Sequence, residues 1–254
     1  TISNNAGDLI NGDDAEINNT GTLTGKLPIY AAVTSGNLTN AGMIDIEGNG
    51  SIGIGVSGTI INEAAGTILT KKLDKGLAIT GSNSGSIRAE MCDTGIEITG
   101  NFENFSGAEM RTRTSNTGMR ISDGSYQNKA GALVKITSSG DYGLYVNVPS
   151  QFVSAAYVFN DGEIVIDTTS GTGILNKNDI TNQGSGVINV KNTGAVGIHI
   201  FSYAAYLLNK DQGLINIVNS GANGLLHEGG SVKNEGSGQI MVSNSVLDGI
   251  LVKN

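Results

Sequence analysis

An asparagine recurs along this chain in one local pattern: apolar, any residue, Asn, one to three residues, Gly, then alternating apolar residues. The segments read ISNNAG, INNTG, LTNAG, IINEAAG, FENFSG, YQNKAG, VFNDG, ITNQGSG, LLNKDQG and VKNEGSG. Their asparagines are Asn4, Asn19, Asn40, Asn62, Asn104, Asn128, Asn160, Asn182, Asn209 and Asn234, with a degenerate copy, SNSG, at Asn83. From Asn19 the spacing is 21 to 22 residues through the first half, and it widens to between 24 and 32 where residues are inserted. A period of this length is the mark of a repeat architecture, in which one short unit stacks on the next.

A second mark follows inside each unit. A glycine opens an apolar, any, apolar triplet, as at Gly53 with Ile54 and Val56, Gly95 with Ile96 and Ile98, and Gly118 with Met119 and Ile121. Between the Asn and this Gly lies another alternating run, such as Ile44 with Ile46 or Ile188 with Val190. Period-two alternation of branched residues reads as half-buried strand. A unit of about 22 residues made only of short strands and glycine turns cannot bury its apolar side alone, so stacking must make the core continuous. It is also too short for a strand-helix-strand crossover. The expected fold is therefore all-β: a single parallel β-helix over 1–254, of about eleven coils of ~22 residues with three short strands each and almost no helix. Eleven coils at about 4.8 Å per strand spacing make a rod roughly 50 Å long. The asparagine suits this geometry because its short amide tolerates turns and can hydrogen-bond to the next amide above it. Both prolines, Pro28 and Pro149, lie at or near insertions, as expected where backbone N–H groups serve ladders. Corner insertions are expected near 148–157 and 200–206.

Composition agrees. The chain has 38 Gly, only 5 Phe and 7 Tyr, and no Trp, which leaves no conventional core of large side chains. No apolar run approaches the ~18 residues of a transmembrane helix, so none is expected. The net charge of −8 weighs against a nucleic-acid partner. The lone Cys92 has no internal disulfide partner, and no Cys/His spacing suggests a metal, so no cofactor is expected. Few cysteines fit an exported bacterial protein, and a start at Thr1 reads as a processed or excised segment.

The Asn-x-x-Gly-x-Ile-x-Ile and Gly-Ile-x-Ile-x-Gly marks resemble those of right-handed parallel β-helices of bacterial surface proteins, such as autotransporter passenger domains and filamentous adhesins, and of the pectin-lyase-like superfamily. The resemblance implies the handedness and a secreted or cell-surface location. Its motifs specify stacking rather than chemistry.

No catalytic constellation stands out. The adjacent acids Asp13 and Asp14 sit in a Gly-Asp-Asp turn, His199 and His227 fall on alternate faces of adjacent coils, and no Gly-x-Ser-x-Gly elbow or phosphate loop occurs. Two surface features remain. Arg88, Arg111, Arg113 and Lys135 should face outward on the same strand of successive coils, with Lys71 extending the column. Such a line can bind sulfated or acidic glycan, or an acidic partner, through charge-assisted bonds. The competing reading pairs these cations with Glu90, Asp93, Glu97 and Glu109. The second feature is aromatic: Tyr145, Phe152, Tyr157, Phe201, Tyr203 and Tyr206 lie on or near the two insertions and can form one binding patch, the competing readings being that they cover the solenoid as a satellite core or dock a neighbouring subunit. Three readings of function follow: an adhesin segment of a longer surface protein, non-enzymatic, that binds glycan or a host or cell-surface protein; a lyase or glycoside hydrolase of the pectin-lyase-like class; and a structural spacer with end-to-end or flanking-domain contacts.

Overall fold

The computed structural model describes strand backbone at 2–4, 16–19, 22–27 and 32–34 and, with side chains, residues 37–48, 51–56, 58–147 and 156–253. It is all-β, with no helix among the described residues. Every strand pairing is parallel, and each strand pairs with its counterpart one turn on, so the structure is a parallel β-solenoid.

Each turn visits three strand columns. One is a sheet of eleven strands running from Ile2–Asn4 to Gln239–Ser243. The second holds the glycine strands, such as Thr172–Asn176 and Ile198–Ile200, and the third holds the asparagine strands, such as Asp179–Asn182 and Tyr206–Asn209. In two turns the glycine and asparagine strands run on without a break, as Lys75–Asn83 and Thr94–Asn104. In the first of these the corner is turned at Gly81, whose φ of 127° is open to glycine and closed to other residues. From Ile60 onward the described residues make about eight turns of three strands, slightly fewer than the eleven coils expected. Asn4 stands in the long sheet opposite Gly25, not in the asparagine column.

The other asparagines form that column in register from Asn19 to Asn234, and Asn83 is a full member despite its degenerate motif. From Asn40 to Asn209 each is fully buried. Each Nδ2 donates to the next Oδ1 at 2.7–2.9 Å, from Asn40 through to Asn234. The remaining amide capacity goes to backbone: Asn182 also donates to the carbonyls of Gly186 at 2.9 Å and Leu214 at 3.3 Å. The column thus satisfies polar backbone inside a corner that water does not reach.

The apolar columns lie beside it. Ile44, Ile68, Ile87, Met110, Val134, Ile164, Ile188 and Ile215 stack in register from coil to coil, each almost wholly buried. The few aromatics of the core are concentrated at Phe102 and Tyr126, stacked at 6.2 Å. Burial holds the Tyr126 phenol far above its usual range.

The second sequence mark has a steric cause. Along the glycine strands, an added Cβ at Gly197 would lie 2.4 Å from Ile217 Cγ2 and 2.5 Å from the Gly224 carbonyl oxygen, and Gly118, Gly143, Gly173 and Gly224 meet the same obstruction. The missing side chain lets the long sheet close against the glycine strands. At the corner between them, Lys72, Met91, Thr114, Ser138, Thr168, Asn192, Asn219 and Asn244 all take φ of 54–60°. Asparagine is the most comfortable of these in that region, and it fills the last three places.

Candidate functional site

Because side chains alternate across a strand, the long sheet that buries Ile87, Ala89, Met110 and Thr112 turns Arg88, Arg111 and Arg113 outward. The parallel register then stacks Arg88, Arg111 and Lys135 directly, one per turn. Arg113 occupies the neighbouring outward column, between Glu90 and Thr137. Lys71 belongs to that second column as the partner of Glu90, so it does not extend the first as expected. The register explains the difference: Lys71 is two residues beyond Leu69, which is the residue that pairs with Arg88.

These side chains line a groove of about 310 Å³ together with Glu90, Thr112 and Thr137. Arg111 is bridged to Glu109 on its own strand. Arg88, Arg113 and Lys135 have no carboxylate within 4.0 Å among the described residues. Of the four acids expected to neutralise the cations, Glu109 pairs with Arg111 and Glu90 lines the groove opposite Arg113, while Glu97 and Asp93 are occupied elsewhere. Glu97 meets Lys75 at 2.6 Å and Arg120 at 3.7 Å, and Asp93 accepts from Asn116 at 3.0 Å. The groove therefore presents guanidinium donors that can bond paired oxygens of a carboxylate or a sulfate group.

The aromatic residues divide into two groups. Tyr145 and Phe201 lie on the glycine-strand side, where Lys177 stands over both rings, at 5.5 Å and 5.1 Å. Tyr157 and Tyr206 fall on the asparagine strands, in one column with Asp179 between them. Tyr157 stacks on Phe159 at 6.2 Å, and Lys233 stands over Tyr206 at 5.7 Å. Tyr203 is 93% exposed in the 201–205 connection. Phe152 lies outside the described residues. The single patch expected from sequence is thus two, because the turns carrying the insertions place their flanking strands on different sides of the coil.

Residues that sequence reading did not single out add to the first group. Lys177, Tyr142 and Arg120 surround Tyr145, with the Tyr142 ring 5.1 Å away and Arg120 5.5 Å from the centroid. The only available signal was register, since Arg120 and Tyr145 are equivalent positions one turn apart. His199 pairs with Glu228 at 2.7 Å, and Lys253 meets the same carboxyl group at 2.7 Å. Hydrogen bonds from Lys253 and then His199 hold the Glu228 carboxyl below its ordinary range. His227 Nε2 is buried without a hydrogen-bond partner. Burial raises the Cys92 thiol, which leaves it a poor nucleophile. No group of three or more metal-ligating side chains occurs among the described residues, and no helix there is long and apolar enough to cross a membrane.

The fold so defined is a parallel β-solenoid carrying outward charged columns. No protein-family model matches the chain, and no curated protein matches it. Among solved structures, the crystal structure of a TibC-catalysed hyper-glycosylated TibA fragment is similar at 16% identity and a TM-score of 0.20, over 97% of this chain and 100% of that one. The resemblance to autotransporter passengers and pectin-lyase-like enzymes accordingly continues to rest on the repeat marks.

Proposed function

We propose that this chain is a non-enzymatic scaffold of a secreted or surface-exposed bacterial protein, and that its basic groove binds an acidic or sulfated glycan. The observation that carries the reading is the in-register stack of Arg88, Arg111 and Lys135, with Arg113 beside it and Arg88, Arg113 and Lys135 without a carboxylate within 4.0 Å among the described residues. Like charges directly opposite on neighbouring strands cost stability, on the order of 0.2–1 kcal/mol per pair. A fold that keeps them together on a rigid face is poised for an external polyanion. Cations spaced by about 4.8 Å along the solenoid axis suit a chain of repeating anions better than a single small one.

A glycan array probed with the wild-type chain and with the Arg111→Glu, Arg113→Glu double variant tests this. Sulfated or carboxylated glycans are expected to retain the wild type, and the folded variant is expected to lose them. If the wild type ignores every acidic glycan, or the variant binds as before, the groove is not the site.

A further inference from the structure

The outer face of the glycine strands carries a second arrangement, independent of the groove. Register places Glu97, Arg120, Tyr145, Leu175 and His199 outward on successive turns. Arg120 and Lys177 both stand over the Tyr145 ring, each 5.5 Å from its centroid, and Lys177 also stands 5.1 Å from that of Phe201. Two cations and two rings therefore meet in one place.

The acids at either end neutralise it only in part. Glu97 is engaged by Lys75 at 2.6 Å and forms an ion pair with Arg120 Nε at 3.7 Å, too long for a hydrogen bond. That Nε–H is buried and has no acceptor. At the other end Glu228 is held by His199 and Lys253, both at 2.7 Å. Lys177 has no carboxylate within 4.0 Å among the described residues. The Phe201 ring is fixed edge-on against His199, at 5.2 Å and 85°, yet remains 51% exposed.

We infer that Lys177, Arg120, Tyr145 and Phe201 form a binding site for a carboxylated pyranose. A bare sulfate would use the cations and leave the rings idle, while a neutral sugar would use the rings and leave the cations unpaired. A sugar acid uses both. Its carboxylate pairs with the ammonium and guanidinium groups, and the C–H face of its ring lies on exposed Phe201. The chemistry is shared by sialic and uronic acids.

Titration of the full chain with sialyllactose, with a glucuronate-terminated disaccharide and with lactose separates these sources. At least one acidic sugar is expected to bind about tenfold or more tightly than lactose, a difference of about 1.4 kcal/mol. Measured in the Arg111→Glu, Arg113→Glu background, which disables the groove, Lys177→Gln and Phe201→Ala are each expected to weaken that binding about tenfold. These side chains are partly or largely exposed, so the variants should keep the wild-type circular dichroism spectrum. Equal affinity for lactose and both acidic sugars, or unaltered binding by Lys177→Gln, overturns the inference. Because the glycan-array experiment varies Arg111 and Arg113 instead, failure of one site does not imply failure of the other.

Discussion

Asn182 shows what a single residue contributes to this solenoid. Its amide accepts from Asn160 at 2.7 Å and donates to Asn209 at 2.8 Å, so it links three turns at once. Asn182→Leu would take an acceptor from Asn160 Nδ2 and leave Asn209 Oδ1 without its donor in a buried corner, at about 1–3 kcal/mol for the group left unsatisfied. The opposite sign is expected at Ser220. That residue is 1% exposed, and its Oγ has no hydrogen-bond partner. Removing an unpartnered buried hydroxyl relieves a desolvation penalty, so Ser220→Ala should raise stability by about 1 kcal/mol. For a chain of this size the difference is worth a few degrees in Tm. Thermal melts should rank Ser220→Ala above wild type and Asn182→Leu well below it, and a reversal would mean that the amide column does not hold the corner. The asparagine role was legible in sequence because the amide, the strand and the turn coincide in one short motif. The hydroxyl column was not, because Ser115, Ser139 and Ser220 become buried only when the long sheet closes against the glycine strands.

Strands in this fold act as columns, and register decides what each column displays. Sequence alternation was enough to turn Arg88, Arg111 and Lys135 outward, but not to say which residues stand opposite one another. A two-residue offset is what moved Lys71 from one column to its neighbour. The same dependence hid the Lys177 cluster, since Arg120, Tyr145 and Phe201 are remote in sequence and meet only through coil stacking. The charged column leads to a salt-dependent expectation. Arg88→Gln removes one of two like charges opposite each other and should stabilise the fold by about 0.2–1 kcal/mol at low ionic strength. At 1 M salt the screening length is about 3 Å, and the advantage should vanish. Melts at the two ionic strengths read this directly. A variant less stable than wild type at low salt would show that the Arg88 guanidinium is already satisfied within the fold.

At the scale of the whole molecule, the described residues form a parallel solenoid whose interior is regular and whose exterior varies from face to face. Along one side Arg88, Arg111 and Lys135 stack in register, and on the proposed reading these cations distinguish the scaffold from a plain spacer. Multivalent attraction of that kind should show itself as affinity that depends on salt and on each member of the column. The most direct measurement is a dextran sulfate titration of the wild type and of the Arg88→Gln, Arg111→Gln, Lys135→Gln triple variant, at several salt concentrations. Saturable wild-type binding that weakens as salt rises, and falls at least about tenfold in the folded triple variant, is the expected result. Equal affinity in the two proteins, or binding indifferent to salt, would contradict a polyanion site on this face.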